Sequence, residues 1–88
     1  METNLLKVAV TGACGKVGRE MVKAVVNAPD LHLVGAVDLV HQGEDIGELV
    51  GVGKQQVTVT GSIQEVFSKD PDVIIDFTNA DAAFQLIS

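Results

Sequence analysis

Three glycines spaced by three, Gly12, Gly15 and Gly18, punctuate the stretch VAVTGACGKVG at residues 8–18. Between a strand and a helix, G-x-x-G-x-x-G is a variant of the dinucleotide fingerprint. The first glycine permits a tight exit from the strand, the second lets a pyrophosphate approach the backbone, and the third lets helix and strand pack closely. Amides at the helix start, with the positive end of its dipole, then face an anion. A tight strand-to-helix turn that holds no ligand would use the same three residues. Asp38 adds a second feature, because it ends the next apolar run about 20 residues beyond the last glycine, where a carboxylate can accept hydrogen bonds from an adenosine ribose. Alone, Asp38 is equally a solvated strand-end carboxylate. Strand, glycine turn, helix, strand and acid together point to the diphosphate of NAD or NADP.

The remaining chemistry-bearing residues say less. Cys14 lies inside the turn, where a helix N-terminus would lower its thiol pKa, and it also serves as a small residue in a crowded loop. His32 reads as a strand residue near the surface and His41 as a solvated loop residue that could approach a cofactor. Neither a nucleophile–histidine arrangement nor a metal-ligand cluster can be assembled from one cysteine and two separated histidines. Asp76, inside VIIDF, is either a satisfied strand-end carboxylate or the residue that orders the loop beside a nicotinamide.

The elements that must position these residues follow from periodicity. Residues 5–11 (LLKVAVT) are apolar at nearly every position, the pattern of a strand buried on both faces. Residues 16–28 carry Val17, Met21, Ala24, Val25 and Ala28 at helical spacing, with Lys16, Arg19, Glu20 and Lys23 on other faces, before Pro29 closes the segment. Residues 31–38 (LHLVGAVD) form a second strand, parallel to the first through a right-handed crossover. Residues 40–56 are too long for a simple connection and read as a candidate functional loop with one short helical turn at 45–50. A strand is expected at 57–60. Ser62 and Glu65 have capping-box spacing for a helix to about residue 69. A break at Asp70-Pro71-Asp72 precedes another buried strand at 73–77, and Asn79 is placed to cap a helix through Ile87.

The expected architecture is α/β, a Rossmann-type parallel sheet of about four strands with helices on both faces, incomplete as a doubly wound fold. The expected strand order is third, second, first, fourth, with the binding crevice between first and fourth, where connections switch sides. The 88 residues make one domain, and with no Trp or Tyr the core must be aliphatic. A net charge of −6 with only six scattered basic residues argues against a nucleic-acid surface. The single cysteine fits a reducing compartment. The start METNLLKVAV lacks the pattern of a signal peptide, and no apolar run reaches the roughly 18 residues of a membrane span. A cytoplasmic protein is therefore expected, without membrane partners.

VAVTGACGKVGRE, LVGAVD, GEDIGELVG and DVIIDFT together resemble the amino-terminal domain of the 4-hydroxy-tetrahydrodipicolinate (dihydrodipicolinate) reductases, over nearly the whole chain. The pairing of G-x-D-x-G-E-L-x-G with V-I-I-D-F-T is much more restricted than the glycine fingerprint. The resemblance implies NADPH- or NADH-dependent reduction giving tetrahydrodipicolinate in lysine and diaminopimelate biosynthesis. It implies that Gly12, Ala13, Cys14, Gly15, Lys16 and Val17 hold the pyrophosphate, Asp38 the ribose, and that Phe77 and Thr78 lie beside the nicotinamide. A basic residue often follows the strand-end acid in this family; here that place is Leu39, so the clamp on a 2′-phosphate is incomplete, although Lys16 can still supply a charge. The family's paired-histidine motif, proton-donating lysine and Gly-Thr-Thr stretch do not occur in residues 1–88. By this resemblance the chain is the cofactor part of a longer two-domain enzyme, inactive alone, with the small-molecule substrate bound through the other domain. The longer enzyme would be a homotetramer and the 88-residue piece a monomer or weak dimer. A stand-alone NAD(H)-sensing module and the cofactor domain of another aspartate-pathway dehydrogenase are the competing readings.

Overall fold

The computed structural model describes residues 5–78. Strand β1 (Leu6–Thr11) leads through the glycine turn into helix α1 (Lys16–Asn27), followed by β2 (Leu31–Val37), α2 (Ile46–Val50), β3 (Val59–Thr60), α3 (Ile63–Phe67) and β4 (Val73–Asp76). The four strands are parallel in the order β3-β2-β1-β4, the order expected from the sequence. The expected helix at 79–87 lies outside the described residues. Among the described residues no helix is long and apolar enough to cross a membrane.

Right-handed crossovers place α1 and α2 on one face. The connection through α3 then runs back past β2 and β1 to reach β4, so α3 covers the opposite face. It packs where β2 has no side chain, since a Cβ at Gly35 would come within 2.9 Å of Val66 Cγ2. The fully buried side chains are aliphatic: Val8 and Val10 of β1, Val22 and Val25 of α1, Ile46, Val59 and Val66.

Several local expectations change in the tertiary context. The apolar stripe of α1 is Gly18, Val22 and Val25, whereas Val17 and Ala24 are exposed. The stripe is set by Gly18, which must face β1: a Cβ there would lie 2.0 Å from the Gly12 carbonyl oxygen. The capping box does not form. Ser62 makes no side-chain cap bond; its backbone carbonyl instead accepts from Glu65 N at 3.2 Å, and α3 ends at Phe67, two residues before the expected Lys69, with Asp70 left-handed at φ 55° just beyond. β4 is not buried on both faces, because it is the outer strand of the described sheet, and Val73 and Ile74 are exposed.

The expected strand at 57–60 is shortened to Val59–Thr60 by Asp45. Asp45 caps α2 by accepting from Glu48 N at 3.1 Å, and the same carboxylate accepts from Gln55 N and Val57 N, both at 2.9 Å. Gly47 lies against the returning chain, with a Cβ there 2.1 Å from Gly53 O, and Gly51 ends α2 in the left-handed conformation at φ 85°. The motif G-x-D-x-G-E-L-x-G, which reads in sequence as part of a functional loop, is accounted for by folding. Burial raises the Asp45 pKa, but hydrogen bonds from the amides of Gln55, Val57, Glu48 and Gln56 outweigh it and hold the group below its ordinary value. A depressed folded-state pKa means that this stabilisation is complete above the ordinary aspartate value of about 3.9 and is lost as pH falls through the lower folded value. Asp45→Ala is expected to cost about 2–3 kcal/mol in urea unfolding at neutral pH, and less as the pH falls below about 3.9; a constant cost across that range would contradict the role given to the carboxylate.

Candidate functional site

The three glycines of the turn differ in what their surroundings demand. Gly12 has φ 67°, and a Cβ there would come within 2.7 Å of the Phe77 backbone. At Gly18 the added atom would meet Gly12 O at 2.0 Å. Folding therefore requires both. Gly15 sits in extended conformation at φ −75° and ψ 172°, open to any residue, and its Cβ would approach only Gly12 O, at 3.4 Å. Nothing internal demands a glycine at 15. Its missing side chain instead keeps a cleft open.

That cleft has a volume of about 380 Å³ and is lined by Gly12, Cys14, Gly15, Val37, Asp38, Leu39, Val40, Phe77 and Thr78. It opens at the C-terminal ends of β1, β2 and β4, where the topology switches sides. Six of the nine residues singled out from sequence meet in it. Ala13 is fully buried beneath the turn, and Lys16 and Val17 are exposed with side chains outside the lining, so their amides are what they can offer. Among the described residues the amides of Lys16, Val17 and Gly18 have no acceptor, and Gly15 provides no side-chain cap. Unpaired amides at a helix start make an anion site.

Asp38 turns toward the glycine turn. Its Oδ2 accepts from Cys14 N at 2.9 Å, while Oδ1 accepts from Leu39 N at 2.8 Å and Val40 N at 3.3 Å. Oδ1 thus has both of its acceptor positions taken, while Oδ2 keeps a lone pair for a further donor, such as a hydroxyl. Of the two readings of Cys14, the small residue in a crowded loop is the one that fits, and a lowered thiol pKa is not: the pKa is raised, chiefly by burial and then by the Asp38 charge, against the lowering effect of Arg19. The buried sulfur approaches Val40 O at 3.7 Å and behaves as a small packing group.

At the other side, Asp76 ties the end of β4 to the end of β1. Its Oδ1 accepts from Thr11 Oγ1 at 2.6 Å and from Thr78 N at 2.9 Å, and Phe77 N donates to Thr11 O at 2.9 Å. Hydrogen bonds from the hydroxyl of Thr11, then from the hydroxyl and amide of Thr78, hold the Asp76 pKa below its ordinary value. Asp76 is thus a satisfied strand-end carboxylate, and the same bonds hold the Phe77–Thr78 turn. Thr11 was not singled out in sequence because nothing local distinguishes it from any strand threonine. Arg19 was also missed: its Nε donates to Cys14 O at 2.8 Å, inside the turn rather than on a solvated face.

A larger open hollow of about 630 Å³ lies elsewhere, lined by Gly43, Glu44, Asp45, Glu48, Leu49, Lys54, Gln56 and Thr58. Size does not make it the site. Its three carboxylates against one lysine repel anions, and Asp45 is already satisfied by backbone amides. His41 pairs with Glu44 at 3.1 Å, outside the glycine cleft, and His32 is exposed on β2. No group of metal-ligating side chains forms among the described residues. The glycine cleft is thus the place where, among the described residues, helix-start amides without an acceptor lie close to a strand-end carboxylate.

The sequence and the fold also have known relatives. Residues 6–88 match the family model described as dihydrodipicolinate reductase, N-terminus. The 4-hydroxy-tetrahydrodipicolinate reductase of Thermosynechococcus vestitus is 47% identical over 85 residues, covering 91% of this chain and 31% of the relative. That of Dictyoglomus turgidum is 45% identical over 83 residues, covering 94% of this chain and 31% of the relative. Among solved structures, a dipicolinate-bound dihydrodipicolinate reductase from Paenisporosarcina sp. TG-14 superposes with a TM-score of 0.63 at 30% identity, covering 85% of this chain and 29% of that one. The chain therefore spans about a third of the length of the relatives it matches. With its parallel sheet, its glycine turn and a family match over residues 6–88, the chain belongs to the dihydrodipicolinate reductase family, at its amino-terminal domain.

Proposed function

We propose that this chain is the dinucleotide-binding part of a 4-hydroxy-tetrahydrodipicolinate reductase, an oxidoreductase that uses NADPH or NADH to form tetrahydrodipicolinate. The observation that carries the reading is the cleft at the glycine turn, where a glycine that folding does not require sits beside three amides with no acceptor among the described residues. The residues fit such a cofactor. The amides of Lys16, Val17 and Gly18 would take the diphosphate, with Gly15 allowing its close approach, while Gly12, Ala13 and Cys14 shape the turn. Asp38 would take the adenosine ribose, and Phe77 and Thr78 would border the nicotinamide. The bound cofactor supplies hydride chemistry, and the protein's task is to position it. The substrate and the proton donor would belong to a further domain, so the residues here hold no catalytic role, and the longer two-domain enzyme would carry the activity.

Cofactor choice follows from the adenosine end. Leu39 is 77% exposed beside Asp38, and among the described residues the only charge lining that end of the cleft is the Asp38 carboxylate. A negative group with no cation beside it disfavours a 2′-phosphate. NADH is therefore expected to bind at least as well as NADPH.

Titration of the purified chain, followed by nicotinamide fluorescence, tests the reading; no saturable change with either reduced cofactor would remove it. Gly15→Ala is expected to stay within about 1 kcal/mol of the parent in stability, because its backbone conformation suits alanine, while its affinity for NADH falls. Asp38→Ala is expected to weaken NADH by about 1.5–3 kcal/mol through loss of a charged acceptor. Leu39→Arg is expected to shift preference toward NADPH, read as the ratio of the two dissociation constants.

A further inference from the structure

We infer that Arg19 is a positioning residue for the glycine turn, holding the Cys14 carbonyl out of the cleft so that amide donors, and no backbone acceptor, face a bound diphosphate. The inference rests on the dinucleotide reading of that cleft. Arg19 Nε donates to Cys14 O at 2.8 Å. A trans peptide sends its N–H the opposite way from its C=O, and the Gly15 amide of the same peptide group accordingly meets Gly12 O at 3.2 Å. The peptide group before it is also held, with Cys14 N on Asp38 Oδ2 at 2.9 Å. Both peptide planes flanking Cys14 are thereby fixed by one side chain each.

The need for such an anchor follows from the residue at 15. Glycine allows backbone rotations that other residues resist, so the Cys14–Gly15 peptide could turn over at little steric cost. Turned over, it would present the negative end of a carbonyl beside the amides of Lys16, Val17 and Gly18, against any anion bound there. The charged guanidinium donor opposes that rotation more strongly than a neutral donor would. Arg19 is half-buried and absent from the residues lining the cleft, so a carbonyl directed at it is directed away from the ligand. A direct ion pair between Arg19 and a diphosphate is the competing account.

The two accounts separate on substitution, because glutamine places its Nε2 at the same number of bonds from Cα as arginine places Nε, without the charge. Binding of ADP-ribose and of adenosine to the chain is measured by calorimetry for the parent, Arg19→Met and Arg19→Gln, with circular dichroism to establish folding. Arg19→Met is expected to weaken ADP-ribose about tenfold and adenosine less than about twofold, and Arg19→Gln to restore ADP-ribose to within about threefold of the parent. Arg19→Gln as weak as Arg19→Met, an equal loss for both probes, or no loss in Arg19→Met would each overturn the positioning role. Should Arg19→Met not fold, Arg19→Gln is compared with Arg19→Lys, and tighter binding by the lysine variant overturns it. A parent chain that binds neither probe overturns the dinucleotide reading and this inference together, whereas a binding parent with an unaffected variant overturns this one alone.

Discussion

The close approach of Gly18 to the carbonyl of Gly12 is the constraint on which the rest of the site depends. No side chain fits between them, since a Cβ at Gly18 would sit 2.0 Å from that oxygen. This contact lets α1 start directly against the end of β1. It also selects the stripe of α1 that faces the sheet, Gly18, Val22 and Val25, and so determines which valines enter the core. The same approach places the start of α1 beside the cleft lined by Gly12, Cys14 and Gly15. Core packing and the geometry of the glycine turn are thus two results of one backbone contact.

Three aspartates then fix the loops around that core, each by accepting backbone amides. Asp38 holds Cys14, Leu39 and Val40; Asp45 holds Glu48, Gln55 and Val57; Asp76 holds Thr78 together with the Thr11 hydroxyl. A carboxylate suits this work because its two oxygens offer several acceptor positions to amides that leave regular structure unpaired. An acidic chain with few basic residues is consistent with that use, since these charges find their partners in the backbone rather than in lysine or arginine. Asp45 organises a loop remote from the cleft, whereas Asp38 and Asp76 stand on its two sides.

Much of this was legible in the sequence where the signal is local. The strand–turn–helix unit, the second strand with its terminal acid, the short helical turn near residue 46 and the sheet order were readable from apolar runs, glycine spacing and connection handedness. The errors arose where a distant or competing partner intervened. Ser62 and Glu65 have the spacing of a reciprocal cap, yet the Ser62 carbonyl, not its hydroxyl, takes the Glu65 amide. Val57 and Thr58 have strand character, but Val57 gives its amide to Asp45 twelve residues earlier. The run VIIDF reads as a buried strand, and yet the strand formed, Val73–Asp76, is an edge of the described sheet with Val73 and Ile74 exposed.

The sequence by itself determined the period of each element, the hand of its connections and the presence of a glycine turn followed by an acid, because these depend on residues close together along the chain. Tertiary structure alone decided that Asp38 points into the turn, that Asp76 joins β4 to Thr11 across 65 residues, and that a side chain at Gly15 would meet no close obstacle among the described residues whereas one at Gly12 or Gly18 would. Such facts concern which groups compete for one acceptor and how much space remains after packing, and neither exists until the sheet has assembled.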